Sequence, residues 1–327
     1  MKHIIRNVLM NYFKEIHSLA VEEELHKDSW NTDLHYKIMV NGKRYSARFI
    51  NSKRTINPAF GTLLNEQLIE QVRFTYYLRE HGILFMQINK NRAGESFTLV
   101  IWNDEQYRFV LSNWIEGEHI TNCTEVIAKA FGTEARKIHD ISCASQSSIF
   151  QKKSHLDGYA QFIHMLESRA STCGELREYI ELAKYHIECA YTSELEFIVQ
   201  TDLNPLNVLW DSNQQIKGIV DFESIGYVDR IEGLAFLLKW YSRTEGIQSH
   251  EVSPSVASAF LEGYKASNIV TSNDYKRLSS LLWLSGSLNW NFVKKTLSVI
   301  SDERELEEHL EVYRVRGERL SSLLICR

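Results

Sequence analysis

Residues 199–224 read VQTDLNPLNVLWDSNQQIKGIVDFES, and they decide how the rest of the chain is read. The stretch sets two aspartates, Asp202 and Asp221, and two asparagines, Asn204 and Asn207, among short β-branched runs suited to burial. Local preferences predict short strands at 196–200, 207–210 and 216–221, joined by a polar loop and by the turn DSNQQ. Two carboxylates come from successive loops, with an amide five residues after the first. That pattern suits magnesium and a transferring phosphoryl group, which call for oxygen ligands and no covalent protein intermediate. On this chemistry Asp202 orients a substrate hydroxyl and accepts its proton. Asn207, through its amide oxygen, and Asp221 hold the metal that bridges nucleotide phosphates.

The bulk of the chain fits such a role. Its 327 residues are long for one core and favour two lobes. An apolar content of 44% and a charged content of 24% describe an ordinary globular protein. The formal charge, 37 − 42 = −5, is too mild and mixed for a nucleic-acid partner. The acid-rich run SDERELEEHLE (301–311) reads as a solvated helix face more readily than as a lure for cationic substrates. Cys123, Cys143, Cys173, Cys189 and Cys326 lack C-x-x-C spacing, which favours free thiols in a reducing cytoplasm over disulfides or a zinc site. Arg6, Asn7, Asn11 and Lys14 interrupt the N-terminal run, and no run approaches 18 apolar residues, so neither a signal peptide nor a membrane span is expected.

Upstream, DLHYKIMVNGKRYSARFI places two β-prone runs around Asn41-Gly42, a tight-hairpin dipeptide. Leu64, Leu68, Val72 and Leu78 predict a helix at about 62–81, stopped by Gly82. SFTLVIW and YRFVLSNW then flank the turn NDEQ. From about 124 the pattern is chiefly helical, apart from the strands of the opening stretch. The expected architecture is α+β and bilobal: residues 1–113 as a small antiparallel sheet with one crossing helix, and residues 114–327 as a mostly helical lobe carrying a short catalytic hairpin.

TDLNPLNVL followed by GIVDFE resembles the catalytic and metal-binding loops of the aminoglycoside phosphotransferase/choline kinase family, small-molecule relatives of the protein kinases. The family pattern is approximately H-G-D-[LF]-x-x-x-N-[IV]-[LI] and then [IV]-D-[FW]-[ED]. Asp202, Leu203, Asn207, Val208, Leu209, Val220, Asp221, Phe222 and Glu223 match it. The resemblance spans roughly residues 30–240. It implies a protein-kinase-like fold, Mg²⁺, and ATP or GTP as phosphate donor. It also implies that Arg48 reaches the phosphates from the third strand, that small Ser46 lies over the adenine, and that Glu70 pairs with Arg48, with Glu66 as rival. Backbone groups of Ser112, Asn113 and Trp114 would stand beside the adenine, and His139 is structural.

Two departures stand out: Gln200 and Thr201 replace the family's His-Gly, and residues 28–33 contain no glycine, leaving Ser29, Asn31 or Thr32 as phosphate donors. They motivate an alternative, a pseudokinase-like binding or scaffold protein. Helical periodicity resumes by about Ile231, which leaves no room after Asp221 for the peptide platform of a protein kinase. A small hydroxylated acceptor fits, with Glu223, Trp283, Trp290 and Asn291 as candidate lining residues. The acceptor's identity and the oligomeric state are not legible.

Overall fold

The computed structural model describes residues 1–25, 33–52, 63–150, 154–170, 173–193, 197–200, 202–222 and 224–324. The expectations for Ser29, Asn31, Thr32, Thr201, Glu223 and Cys326 lie outside these residues. The chain opens with α1 (Lys2–Leu9), then β1 (Leu19–Leu25), β2 (Leu34–Val40), β3 (Lys43–Asn51), α2 (Asn65–Glu80), β4 (Ile88–Asn89), β5 (Thr98–Trp102) and β6 (Glu105–Asn113). It continues through α3 (Glu125–Ser142), α4 (His155–Ala170), α5 (Gly174–Ala190), β7 (Phe197–Gln200), β8 (Val208–Trp210), β9 (Ile216–Ile219) and β10 (Ile225–Val228). Five helices complete it: α6 (Arg230–Tyr241), α7 (Pro254–Tyr264), α8 (Ser272–Ser287), α9 (Trp290–Val299) and α10 (Glu303–Ser322). The fold is α+β, as expected. Two compact units form, one of 1–118, 209–212 and 216–224, the other of 119–208, 213–215 and 225–327.

In the first unit the strands run β1-β2-β3-β6-β4, with β5 also paired to β6, all antiparallel. Asn41 and Gly42 both have positive φ (51° and 79°), the pair of left-handed residues that a two-residue hairpin needs. Because side chains alternate along a strand, Tyr36, Ile38, Val40, Tyr45, Ala47, Phe49, Tyr107, Phe109 and Leu111 share one face. That face forms a core with Ile5, Val8 and Leu9 of α1. His35, Lys37, Ser46, Arg48, Val110 and Ser112 therefore occupy the opposite face. α2 ends where Gly82 adopts φ 80° and Ile83 N–H closes back on the Leu78 carbonyl at 3.0 Å. β1 was not expected, because three consecutive glutamates on this strand break the apolar alternation that flags one.

The second unit is helical apart from the β7–β10 pair. α3 and α7 cross so closely that a Cβ at Gly132 or Gly263 would strike the backbone carbonyl of Phe260 or Lys129. No helix among the described residues is long and apolar enough to cross a membrane.

Candidate active site

The Asp202 loop belongs to the second unit and is braced from within. Asn204 caps a one-turn 3₁₀ helix, Pro205–Asn207, its side-chain oxygen accepting the Leu206 N–H at 2.9 Å. Proline at the first helical position has no N–H to satisfy. The Asn204 amide nitrogen donates at 2.8 Å to the Asp202 carboxylate. Asn207 donates its amide nitrogen to the Asp202 carbonyl at 2.6 Å, which leaves its amide oxygen as the end a cation can use. Leu203 and Val208 are fully buried on either side and pin the loop to the core. The Val208 carbonyl also accepts from His119 Nδ1 at 3.1 Å. The sequence pattern assigns Asn204 no role. Its D-x-N spacing, typical of local side-chain turns, was the available signal.

Asp221 follows β9 in the first unit. Ile219 is held between the Met86 N–H and the Leu84 carbonyl, both at 2.7 Å, and Phe222 is buried. Between these anchors Asp221 adopts φ 65°, a left-handed conformation that Asp tolerates better than most residues but that remains unfavourable. Strain of this kind persists where the surroundings over-determine it, often at functional sites. Arg48 Nη1 lies 4.0 Å from the Asp221 carboxylate, and Nη2 donates to Asp33 at 3.1 Å. Asp33 also accepts the Asn51 N–H at 3.0 Å, and its side chain is only 3% exposed.

The expected Arg48–Glu70 pair is replaced. Glu70 takes Arg73, one turn along the same helix, with Nε donating at 2.7 Å. The i,i+3 spacing guarantees that reach. Asp33, extending β2 on the face of His35, is a diagonal cross-strand neighbour of Arg48 because His35 pairs with Arg48 and Leu34 with Phe49. Ser46 shares the Arg48 face, its hydroxyl 2.6 Å from His35 Nε2.

The adenine-side expectation also shifts. The backbone of Ser112 is laddered between β3 and β4, the Asn113 N–H donates to Gln87 at 2.9 Å, and the Trp114 N–H donates to Arg44 at 3.3 Å. These amides are occupied because the β6 ladder continues past Ser112. Among the described residues the amides of Ile115, Glu116 and Gly117 take no backbone acceptor. Trp283 is a correction of another kind. It is 3% exposed, stacks on His186 and lies tilted against Tyr179 in the helical core, since α8 is covered on several sides. Trp290 and Asn291 lie at the exposed start of α9. His139 is structural: buried, with Nδ1 2.6 Å from the Tyr264 hydroxyl, and pushed down to about 3 chiefly by that burial.

A model of the phosphotransferase enzyme family matches residues 36–280. The chain belongs to that family. No curated protein matches it by sequence. Among solved structures, this phosphotransferase resembles an aminoglycoside phosphotransferase from Alicyclobacillus acidocaldarius, at 16% identity, with 98% of this chain and 94% of that one covered and a TM-score of 0.61. An amicoumacin kinase solved with AMP-PNP and Ca²⁺ gives 14% identity, coverage of 97% and 92%, and a TM-score of 0.65. A microcompartment-associated aminopropanol kinase gives 16% identity, coverage of 99% and 97%, and a TM-score of 0.64. At these identities the likeness is one of fold. The family match makes the chain a small-molecule kinase of the phosphotransferase class.

Proposed function

We propose that the protein transfers the γ-phosphate of ATP or GTP to a hydroxyl of a small molecule, with Asp202 as the base. The supporting observation is the Asp202 loop itself: the carboxylate is oriented by the Asn204 amide, and Asn207 is turned so that oxygen is its available end. Such preorganisation is what phosphoryl transfer asks of a protein, because positioning and electrostatics supply most of the rate. Asn207 and Asp221 offer the hard oxygen donors that Mg²⁺ prefers, in the small number it takes when phosphates complete its shell. Bound there, the ion would neutralise phosphate charge.

The chain's own groups then divide the work. Asp202 holds the acceptor hydroxyl and takes its proton as the oxygen attacks phosphorus. Arg48 offers a charge that survives at any working pH, and Asp33 fixes its direction. The amides of Ile115, Glu116 and Gly117 are the backbone donors assigned to the adenine. The segment from Phe222 to the start of α6 at Arg230 is short and partly strand, which favours a small acceptor over a peptide.

Thermal shift with Mg²⁺ and ATP or GTP tests nucleotide binding, and slow hydrolysis of the bound nucleotide tests chemistry. Hydrolysis that is lost in Asp202→Asn supports the kinase. A wild-type protein that binds nucleotide without hydrolysing it, even with acceptors present, belongs instead to the pseudokinase-like class.

A further inference from the structure

Residues 28–33, ahead of β2, contain no glycine. Backbone amides approach a phosphate most closely where glycine leaves out the Cβ, so a segment without glycine shifts that work toward side chains. Arg48 is poorly placed to do it alone. Its guanidinium lies between two carboxylates, Asp33 at 3.1 Å and Asp221 at 4.0 Å. These three groups together are net negative, and a polyphosphate calls for a further donor beside Arg48.

Strand register names that donor. β3 runs between β2 and β6, and Arg48 stands opposite His35 on one side and Val110 on the other. Residues directly opposite on neighbouring strands share a face, with Cβ atoms about 5 Å apart. Val110 is apolar and buried, so of the two only His35 can hydrogen-bond a ligand. His35 is half-buried, and its Nε2 lies 2.6 Å from the hydroxyl of Ser46, two residues before Arg48 on the same face. This contact fixes the ring beside Arg48 in advance, and a preformed group loses little freedom on binding. Lys37, the next residue of β2 on this face, is directed elsewhere. Its cross-strand neighbours are Ser46 and Glu23, and its ammonium lies 4.4 Å from the Trp114 ring centroid.

We propose that His35 is a second phosphate-binding residue of the donor site, its imidazole donating to the polyphosphate of the nucleotide alongside Arg48. The assignment rests on the reading above, in which Arg48 meets the phosphates. The grip on phosphate then comes from side chains of β2 and β3, with Ser46 holding the imidazole in place.

The test compares ligands that differ only in phosphate. Dissociation constants for Mg-ATP, Mg-ADP and adenosine are measured on the full chain, adenosine by displacement of ADP; the guanine series replaces them if it binds more tightly. His35→Gln should weaken ATP and ADP by about tenfold or more and adenosine by less than about twofold. If His35→Gln does not fold, Ser46→Ala, which releases the ring from its anchor, decides by the same ratio. Equal weakening of ADP and adenosine would make His35 a structural or base-side residue, and unchanged ADP affinity would turn it to solvent. Either result overturns the proposal. Asp202-dependent hydrolysis of the bound nucleotide, measured in parallel, judges the kinase reading separately, and a wild-type protein that binds no nucleotide removes both.

Discussion

The Asp202 loop and the Asp221 turn each set a carboxylate where a short strand ends, and they hold it by opposite means. Around Asp202 two partners are neighbours in sequence: Asn204 two residues on for the carboxylate and Asn207 five residues on for the carbonyl. Around Asp221 they are distant. Arg48 comes from β3, Asp33 aligns Arg48, and the strand before it is fixed by the segment after α2. The first arrangement is a relaxed turn reinforced by amides. The second keeps a left-handed aspartate in place through tertiary contacts. Local bracing gives a group whose direction survives distant change, while a tertiary clamp makes orientation depend on the whole sheet.

The sharpest break is at the carboxylates. Asp202→Asn should lower turnover by about 10³-fold, within the range of general-base loss, while the thermal shift given by Mg-ATP persists. Asp221→Asn should lose that shift as well. Equal retention of nucleotide binding in both variants would erase the distinction between a base and a metal ligand.

Removing the local brace comes next. Asn204→Ala leaves Asp202 in place but unaligned, and kcat should fall on the order of 10²-fold with the nucleotide KM nearly constant. Unchanged steady-state kinetics would mean that the loop needs only its backbone.

The distant clamp should show a smaller effect, and in a different parameter. Asp33→Asn weakens a buried partner of Arg48, so the KM for ATP should rise about tenfold. Glu70→Gln, which touches the exposed Arg73, should change it less than about twofold. The reverse order would restore Glu70 as the phosphate-side anchor.

The smallest effect concerns strain. Asp221→Gly removes the left-handed penalty and should stabilise the inactive protein by up to about 1 kcal/mol, read as a higher denaturant midpoint at constant slope. Asp202→Gly relieves no such strain and should not stabilise. A destabilised Asp221→Gly would show that the Arg48 contact outweighs the backbone cost.

Much of this is legible in the sequence. The Asn41-Gly42 hairpin, the helix stopped by Gly82, and the strands around 208–219 follow from residues a few positions apart. So does the Asp202–Asn207 spacing. Less visible were β1, masked by its glutamates, and β10, a strand too short to carry a period. An aromatic at helical spacing such as Trp283 suits a core more often than a pocket, and only the helices packed around α8 decide for the core.

The sequence by itself determined the fold class and the local bracing of the Asp202 loop, because an amide two or five residues from an aspartate can reach it in almost any compact turn. The tertiary structure alone decided that Arg48 meets Asp33 rather than Glu70, and that Trp283 is enclosed beside His186 and Tyr179. Those outcomes depend on strand register and helix packing. A shift of one residue along β2 would move Asp33 to the other face, and nothing in the local chemistry of either residue records which register is adopted.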